Sequence, residues 1–410
     1  MKNTFIRIIV IFFLLPLPYF AYSVTSVINE LSSKGFENLS VNVKGTKIFI
    51  AYEDRVYRFN IDGLIEVMNI LKNYREYDTV VITMLNKKIP VLEIRYDNSL
   101  FYSVTAGTSG WSDFEKNLFI SYTPTEFDTE SDNQSDFRTD LTIHPGFKGQ
   151  FGDYDNPVRA QINIIPEIRT SWWKGMELNI QTIIPVYNEF KGEGDYIRPG
   201  IVSLGQTFKF DESTYAFATM GYFTENRYGA DFSAMKIFNN GDFVLKGNAG
   251  YTGYLSVYQN KFFYSDLYLF TYNLSMKYRI NKYDLTIGIT AGKFLYEDKS
   301  LRVDINRQFG EIELGFFAVR STDGYTNGGF NFSVPLFPSR YSKPSFIRIR
   351  TAENFRWEYR VKGEISSLVG MTYKTGDYFE KELYKYNPAF IKKELKKKFI
   401  SNQERGMYVR

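Results

Sequence analysis

YNLSMKYRINKYDLTIGIT, residues 272–290, is the stretch whose reading decides the fold. Tyr272, Leu274, Met276, Tyr278 and Ile280 alternate with Asn273, Ser275, Lys277 and Arg279. After a turn at Asn281 and Lys282, Tyr283, Leu285, Ile287 and Ile289 take one face, and Asp284, Thr286, Gly288 and Thr290 take the other. A period of two with one apolar and one polar face is the sequence form of a half-buried β-strand. Working outward, Met176, Leu178 and Ile180 set against Glu177, Asn179 and Gln181 repeat the pattern. So do Ile312, Leu314 and Phe316 against Glu311, Glu313 and Gly315, and Phe330, Phe332 and Val334 against Asn331 and Ser333.

A soluble antiparallel sandwich alternates in the same way, so the period alone does not place the sheet in a membrane. Three further features favour the bilayer. The strands run ~10 residues or more. Aromatic residues gather at their ends, as at Trp172 and Trp173, Tyr222 and Phe223, Phe262, Phe263 and Tyr264, and Phe316 and Phe317. Connections alternate between tight (174–175, 211–213, 239–241, 280–282, 309–310) and long (188–199, 252–265, 295–300, 321–328). With the tight turns in the periplasm, an ascending strand over 137–151 precedes a descending one over 158–173. The count to Leu336 is then twelve, and 346–350 with 356–361 as one more hairpin makes fourteen. An even number is consistent with closure into an antiparallel transmembrane β-barrel.

Composition agrees. The 410 residues include 32 Tyr and 37 Phe, while the mean hydropathy is −0.29, so apolar residues are interleaved with polar ones rather than collected into spans. Lys2 and Arg7 precede the apolar run 8–15, then Pro16, Pro18, Ala21, Tyr22 and Ser23, the form of a signal peptide cleaved after Ser23. The run is shorter than the ~20 residues a membrane helix needs. The chain has no cysteine, which excludes a disulfide framework, a lipid-attachment thiol and a thiolate metal site. A net charge of +4 and one basic run (Lys392, Lys393, Lys396, Lys397, Lys398) give no argument for nucleic acid.

The organisation expected is a signal peptide (1–23), a periplasmic α/β domain (24–105), an acidic linker (106–136), an outer-membrane barrel (137–361) and a basic, partly helical C-terminal tail (362–410). Within the α/β unit the order reads α-β-β-α-β-β. Its first helix stops at Gly35, Asp62 serves as N-cap of the second, and Asn86, Lys87 and Lys88 turn the last hairpin. The densest acidic stretch, 126–136, lacks the glycine-pivoted spacing of a calcium loop. The tail reads as a basic amphipathic helix carrying Leu383, Ile391, Leu395 and Phe399, interrupted at Pro388. Packing of that helix under the barrel is weighed against binding to anionic lipid or polymer.

Several stretches resemble the YjbH-like outer-membrane family. They are YIRPG (196–200), RYGAD (227–231), FVLKGNAGYTG (243–253), SLRVDINRQF (300–309) leading to GFNFSVPL (329–336), and EDRVYR (53–58) in the small domain. The resemblance implies a non-enzymatic barrel component of exopolysaccharide or capsule biosynthesis or secretion. Outer-membrane lipid, exopolysaccharide and periplasmic secretion proteins would be its partners, with no cofactor. The chain is short beside longer members of that family, as a single-barrel member would be. It ends in Met407, Tyr408, Val409 and Arg410 rather than on a strand-terminal aromatic, which leaves 330–337 as an internal insertion signal.

Catalysis has few candidates. An outer-membrane hydrolase needs a base, and the one histidine is His144, with Ser135 and Asp140 as its nearest partners in sequence. Beside Pro145 and Gly146 it also reads as a turn or interfacial residue. Glu311 and Glu313 lie ~7 Å apart by strand rise, near glycosidase spacing, as polar lumen residues do at no special cost. What remains is a mixed-charge lumen formed by Glu177, Asn179, Gln181, Asn273, Lys277, Arg279, Asp284, Arg302, Asp304, Asn306, Glu311 and Glu313. It either handles a hydrophilic polymer, conducts solutes as a general porin, or only fills a narrow barrel.

Overall fold

The computed structural model describes residues 17–122, 131, 133–152, 157–190, 194–258, 261–343, 345–361, 363, 365–377, 379 and 384–404. Residues 1–16 of the expected signal peptide, 123–130 and 132 of the expected linker, and Leu383 of the tail lie outside these. Two sheets organise the chain, one of five strands and one of fifteen.

The smaller sheet runs in the order β1-β2-β3-β4-β5, with β1 Glu37–Lys44, β2 Lys47–Glu53, β3 Thr79–Asn86, β4 Ile89–Asp97 and β5 Phe119–Ser121. Helices α1 (Leu17–Lys34), α2 (Asn60–Leu71), α3 (Asn98–Thr105) and α4 (Trp111–Lys116) accompany it. Their apolar faces close a dry core around Leu31, Ile48, Leu64, Val67, Ile82 and Ile94. α1 ends at Lys34 because Gly35 takes a left-handed φ of 100°. Asp62 is not the N-cap of α2; the helix starts two residues earlier, and Asp62 lies in its first turn beside Lys398. α4 and β5 occupy residues expected to be linker.

The large sheet begins with β6 Thr139–Phe151, β7 Val158–Thr170, β8 Met176–Asn188, β9 Arg198–Lys209, β10 Thr214–Phe223, β11 Arg227–Phe238 and β12 Phe243–Tyr258. It continues with β14 Leu269–Ile280, β15 Leu285–Lys293, β16 Lys299–Phe309, β17 Ile312–Ser321 and β18 Thr326–Pro335. Each of these pairs antiparallel with the next, giving the twelve strands expected. β13 (Lys261–Tyr264) pairs with the end of β12 as a hairpin, so the expected long loop over 252–265 is mostly strand. The β10–β11 connection at that same end is tight, with Glu225 and Asn226 at positive φ.

This wall is inside out for a protein in water. On β14, Phe270, Tyr272, Leu274, Met276 and Tyr278 are exposed, Leu274 by 53%, whereas Ser275 is only 6% exposed and Thr271 and Arg279 are equally covered. Neighbouring strands repeat it, with Ile289, Leu301, Ile305, Leu314 and Phe316 outside and Glu167, Asn179, Ser203, Thr219 and Ser233 enclosed. A soluble fold scatters exposed apolar residues and leaves polar ones outside; a continuous apolar outer band over a polar interior is the arrangement hydrocarbon selects. Among the described residues no helix is long and apolar enough to cross a membrane, which says nothing of strands.

The expected final hairpin is replaced by another construction. β19 (Ile347–Thr351) lies parallel to β6, and β20 (Asn354–Arg360) lies antiparallel to β18. Only Ala352 and Glu353 separate them, so one ascending stretch joins both ends of the sheet. Two hairpin strands would run in opposite directions; these run in the same one.

The α/β unit caps the tight-turn end. The Gly175 N–H donates to the Lys87 carbonyl (2.8 Å), Lys209 Nζ to the Pro90 carbonyl (2.9 Å) and Asn240 Nδ2 to the Ile120 carbonyl (3.0 Å). Beyond β20 the chain returns through the interior as a strap over residues 365–377 and 379, then forms α5 (Pro388–Glu404). Pro388 starts that helix rather than interrupting it, since the first helical position needs no N–H donor. Phe390, Ile391, Leu395 and Phe399 of α5 join the core of the small domain. Its lysines are taken up by Glu115, Asp284 and Asp62.

Candidate functional site

The enclosed face of β11, β12, β14–β17 and β20 surrounds a cavity of about 690 Å³, closed on its other side by strap residues 370–375 and 377. Strand alternation delivers Asn273, Lys277 and Arg279 from β14, Arg302, Asp304 and Asn306 from β16, and Glu313 from β17 into it, with Asp284 from the turn before β15. The other expected lumen residues lie elsewhere. Glu177 and Asn179 face the far side of the strap, Glu177 toward Lys87 (3.4 Å) and Asn179 donating to the Gly376 carbonyl (3.4 Å). Gln181 donates to Glu167 (2.8 Å). Glu311 is at the rim, held by Arg58 (2.7 and 2.9 Å), and so forms no catalytic pair with Glu313.

Acidic and basic groups of the wall neutralise one another. Arg302 reaches Asp304 (2.8 Å) and Glu358 (3.0 Å), and Arg360 donates to Glu358 (2.9 Å). Arg279 donates to Asp284 (3.2 Å), which Lys393 of α5 also meets. Tyr373 of the strap donates to Asp231 (2.7 Å), and Asn248 donates to the same carboxylate (2.8 Å). Arg356 lines the cavity without an ion-pair or hydrogen-bond partner among the described residues. Asp231, Arg356, Glu358 and Arg360 were missed from sequence although they continue the period of two; the strap has no period to find.

The strap is fixed along its length. The Gly370 N–H donates to Asp298 (2.6 Å), the Leu295 N–H to the Met371 carbonyl (3.0 Å) and the Thr224 N–H to the Lys374 carbonyl (3.1 Å). Tyr373 stacks on Phe223 (5.3 Å), and Phe379 packs against Tyr215 and Phe217. The strap thus runs from the long-loop end of the lumen, at Thr224, Leu295 and Asp298, to the tight-turn end, where Phe379 packs near the cap.

EDRVYR (53–58) is the latch between cap and wall. Glu53 accepts from the Lys87 and Lys88 N–H groups (3.1 Å each) and from Asn38 (2.7 Å). The Val56 carbonyl accepts from the Tyr341 N–H (2.7 Å), and the Arg58 N–H donates to the Ser339 carbonyl (3.0 Å). Asp54 folds back to accept the Val56 and Tyr57 N–H groups (2.9 and 3.0 Å), with Oδ2 buried and unpartnered. The space over Gly63 is what admits it, since a Cβ there would sit 1.9 Å from that oxygen.

Burial, assisted by Glu353, pushes the Asp54 carboxyl up to about 7, against the two N–H groups and Arg348. Because the folded state holds this proton more tightly than the unfolded chain, its contribution is full below the unfolded value near 4 and is lost as pH rises to about 7. The loss amounts to about 4 kcal/mol. Urea midpoints of the full chain are therefore expected to fall between these pH values and level off above, with Asp54→Asn flattening that part of the profile. An unchanged slope in the variant contradicts the assignment.

His144 is a strand residue of β6, not a turn residue. It meets Glu167 (2.7 Å), itself fully buried and bonded to Arg169 (3.1 Å) and Gln181. Neither expected partner is beside it, for Ser135 is bonded to Asn38 (2.8 Å) and Asp140 to Arg348 (2.7 Å). Among the described residues no group of three or more His, Asp or Glu could hold a metal ion.

No curated protein is significantly similar to the chain. It is similar to the loop L8 deletion mutant of OmpT, an outer membrane protein of Vibrio cholerae, at 11% identity over 47% of this chain and 87% of that one, with a TM-score of 0.25. In-vitro folded OmpT of the same organism gives 10% identity over 48% and 79%, also with a TM-score of 0.25. Residues 21–199 match the family model YjbH, described as "Exopolysaccharide biosynthesis protein YbjH". The match spans the small sheet, the EDRVYR latch and strands β6 to β8, and stops before the later stretches quoted above. That match supports assigning this chain to the YjbH-like family.

Proposed function

We propose that this chain is a non-enzymatic outer-membrane β-barrel component of exopolysaccharide or capsule biosynthesis or secretion, with the capping α/β unit in the periplasm. The observation that carries the reading is the inverted wall, apolar outside and polar within. The pairing of β19 with β6 and of β20 with β18, at opposite ends of the sheet, supports closure into a barrel. The family's description supplies the polymer context. A lumen occupied by the strap and capped by the α/β unit favours holding or guiding a ligand over free diffusion of solutes.

Deleting the gene is expected to abolish extracellular polymer while small-solute permeability stays unchanged. The purified full chain in planar bilayers is expected to give no steady conductance. Sustained single-channel currents would replace this reading with a porin. Loss of polymer in a folded His144→Ala variant would replace it with a hydrolase.

A further inference from the structure

The two ends of the large sheet meet along a seam laddered only in its lower part. β19 pairs with β6 from Thr139 to Ile143, and the last bond runs from the Ala352 N–H to the Ile143 carbonyl (3.0 Å). Above it β20 pairs with β18, and among the described residues no backbone ladder joins β20 to the remainder of β6. In an extended strand, the N–H and C=O of one residue point to one side, and the side alternates along the chain. The Thr139 N–H and the Ile143 carbonyl face the seam. The backbone groups of Pro145, Phe147, Gly149 and Phe151 therefore face it too, opposite those of Asn354, Arg356, Glu358 and Arg360. Pro145, where the ladder stops, has no N–H to leave unpaired, as suits a sheet edge.

Rings cover this gap on the outer side, Phe147 against Trp357 (5.6 Å) and Phe151 against Trp357 (6.2 Å) and Tyr359 (5.9 Å). On the inner side the same strand gives Arg356, Glu358 and Arg360 to the cavity. Unpaired backbone facing hydrocarbon costs several kcal/mol per group, so an unladdered seam is tolerable where it borders a polar cavity. Glu358 and Arg360 satisfy each other, whereas Arg356 is left without a partner among the described residues. Arg356 is exposed toward the polar cavity, where its guanidinium is free to pair with phosphate or carboxylate.

The geometry points to an anionic amphiphile as a ligand of this cavity. Its phosphate or carboxylate head lies at Arg356, and its hydrocarbon tail leaves through the β6–β20 seam past the outer faces of Phe147 and Trp357 into the outer leaflet. This rests on the barrel reading and not on the identity of any polymer.

The test reconstitutes the full chain in phosphatidylcholine nanodiscs containing a photoactivatable phosphatidic acid, and maps adducts by mass spectrometry. Heat-modifiable gel mobility is checked first, since its absence would defeat the barrel reading itself rather than the ligand. Adducts are expected to concentrate on Phe147, Phe151 and Trp357, to fall about tenfold in Arg356→Ala, and to recover only in part in Arg356→Lys. They are expected to resist excess inorganic phosphate. Adducts spread evenly around the wall, or unchanged in a folded Arg356→Ala, overturn the proposal. Displacement by inorganic phosphate also overturns it, in favour of a soluble anion.

Discussion

Asp140→Ala is expected to destabilise the folded chain by about 3–5 kcal/mol, the range for a buried charge that loses its partner. Asp140 on β6 accepts from Arg348 Nε (2.9 Å) and Nη2 (2.7 Å), with Arg350 at 3.6 Å. Asp140 and Arg348 are each only 3% exposed. The same Arg348 donates to the Arg55 carbonyl of the latch. One carboxylate thus holds β19 to β6 and, through Arg348, the wall to its cap. Its removal leaves Arg348 buried without compensation, so both joints weaken together. The check is the midpoint of the heat-induced gel shift. Asp211→Ala, which breaks the exposed pair with Lys236, is the control expected to leave that midpoint unmoved. Equal behaviour of the two variants contradicts this account of the closure.

Met276→Arg is expected to cost about 2–4 kcal/mol, as for arginine on the lipid face near mid-membrane. Met276 is 46% exposed and is flanked on the outer face by Leu245 of β12 and Ile289 of β15. In water, an arginine at a half-exposed position between apolar neighbours would be nearly neutral, its stem lying along them. The cost arises only if the surroundings are hydrocarbon. Thr286→Arg, directed into the cavity, is expected to cost little. Urea midpoints of both variants in liposomes decide it, and a neutral Met276→Arg contradicts the membrane placement.

The alternation in 272–290 made the wall legible, because a period of two sets which side chains share a face wherever the sheet lies. The structure places Asn273, Arg279, Arg302 and Asn306, which share that period, around one cavity. The same period cannot choose partners. Ile347, Ile349 and Phe355, Trp357, Tyr359 alternate equally well in a hairpin or in one kinked ascending stretch. What selects the latter is Arg348 meeting Asp140 across 208 residues of sequence. Nor does alternation see the strap, whose Met371 and Lys374 carbonyls accept from the N–H groups of Leu295 and Thr224 in the far loops. His144 was legible as a candidate base but not its partner, since Glu167 comes from the strand paired beside it. EDRVYR was legible as a family stretch, and its role as a latch emerges only with Glu311, Ser339 and Arg348 in place.

The inverted wall carries everything else, and one measurement reaches it directly. The chain has no cysteine, so single cysteines at each position from 270 to 278 can carry a spin label without background. In reconstituted bilayers, collision with oxygen and with a water-soluble nickel chelate reports hydrocarbon and water respectively. Labels at 270, 272, 274, 276 and 278 are predicted to collide with oxygen and not with nickel, and those at 271, 273, 275 and 277 to show the reverse or to be shielded from both. Nickel access at the even positions would contradict a lipid-facing wall.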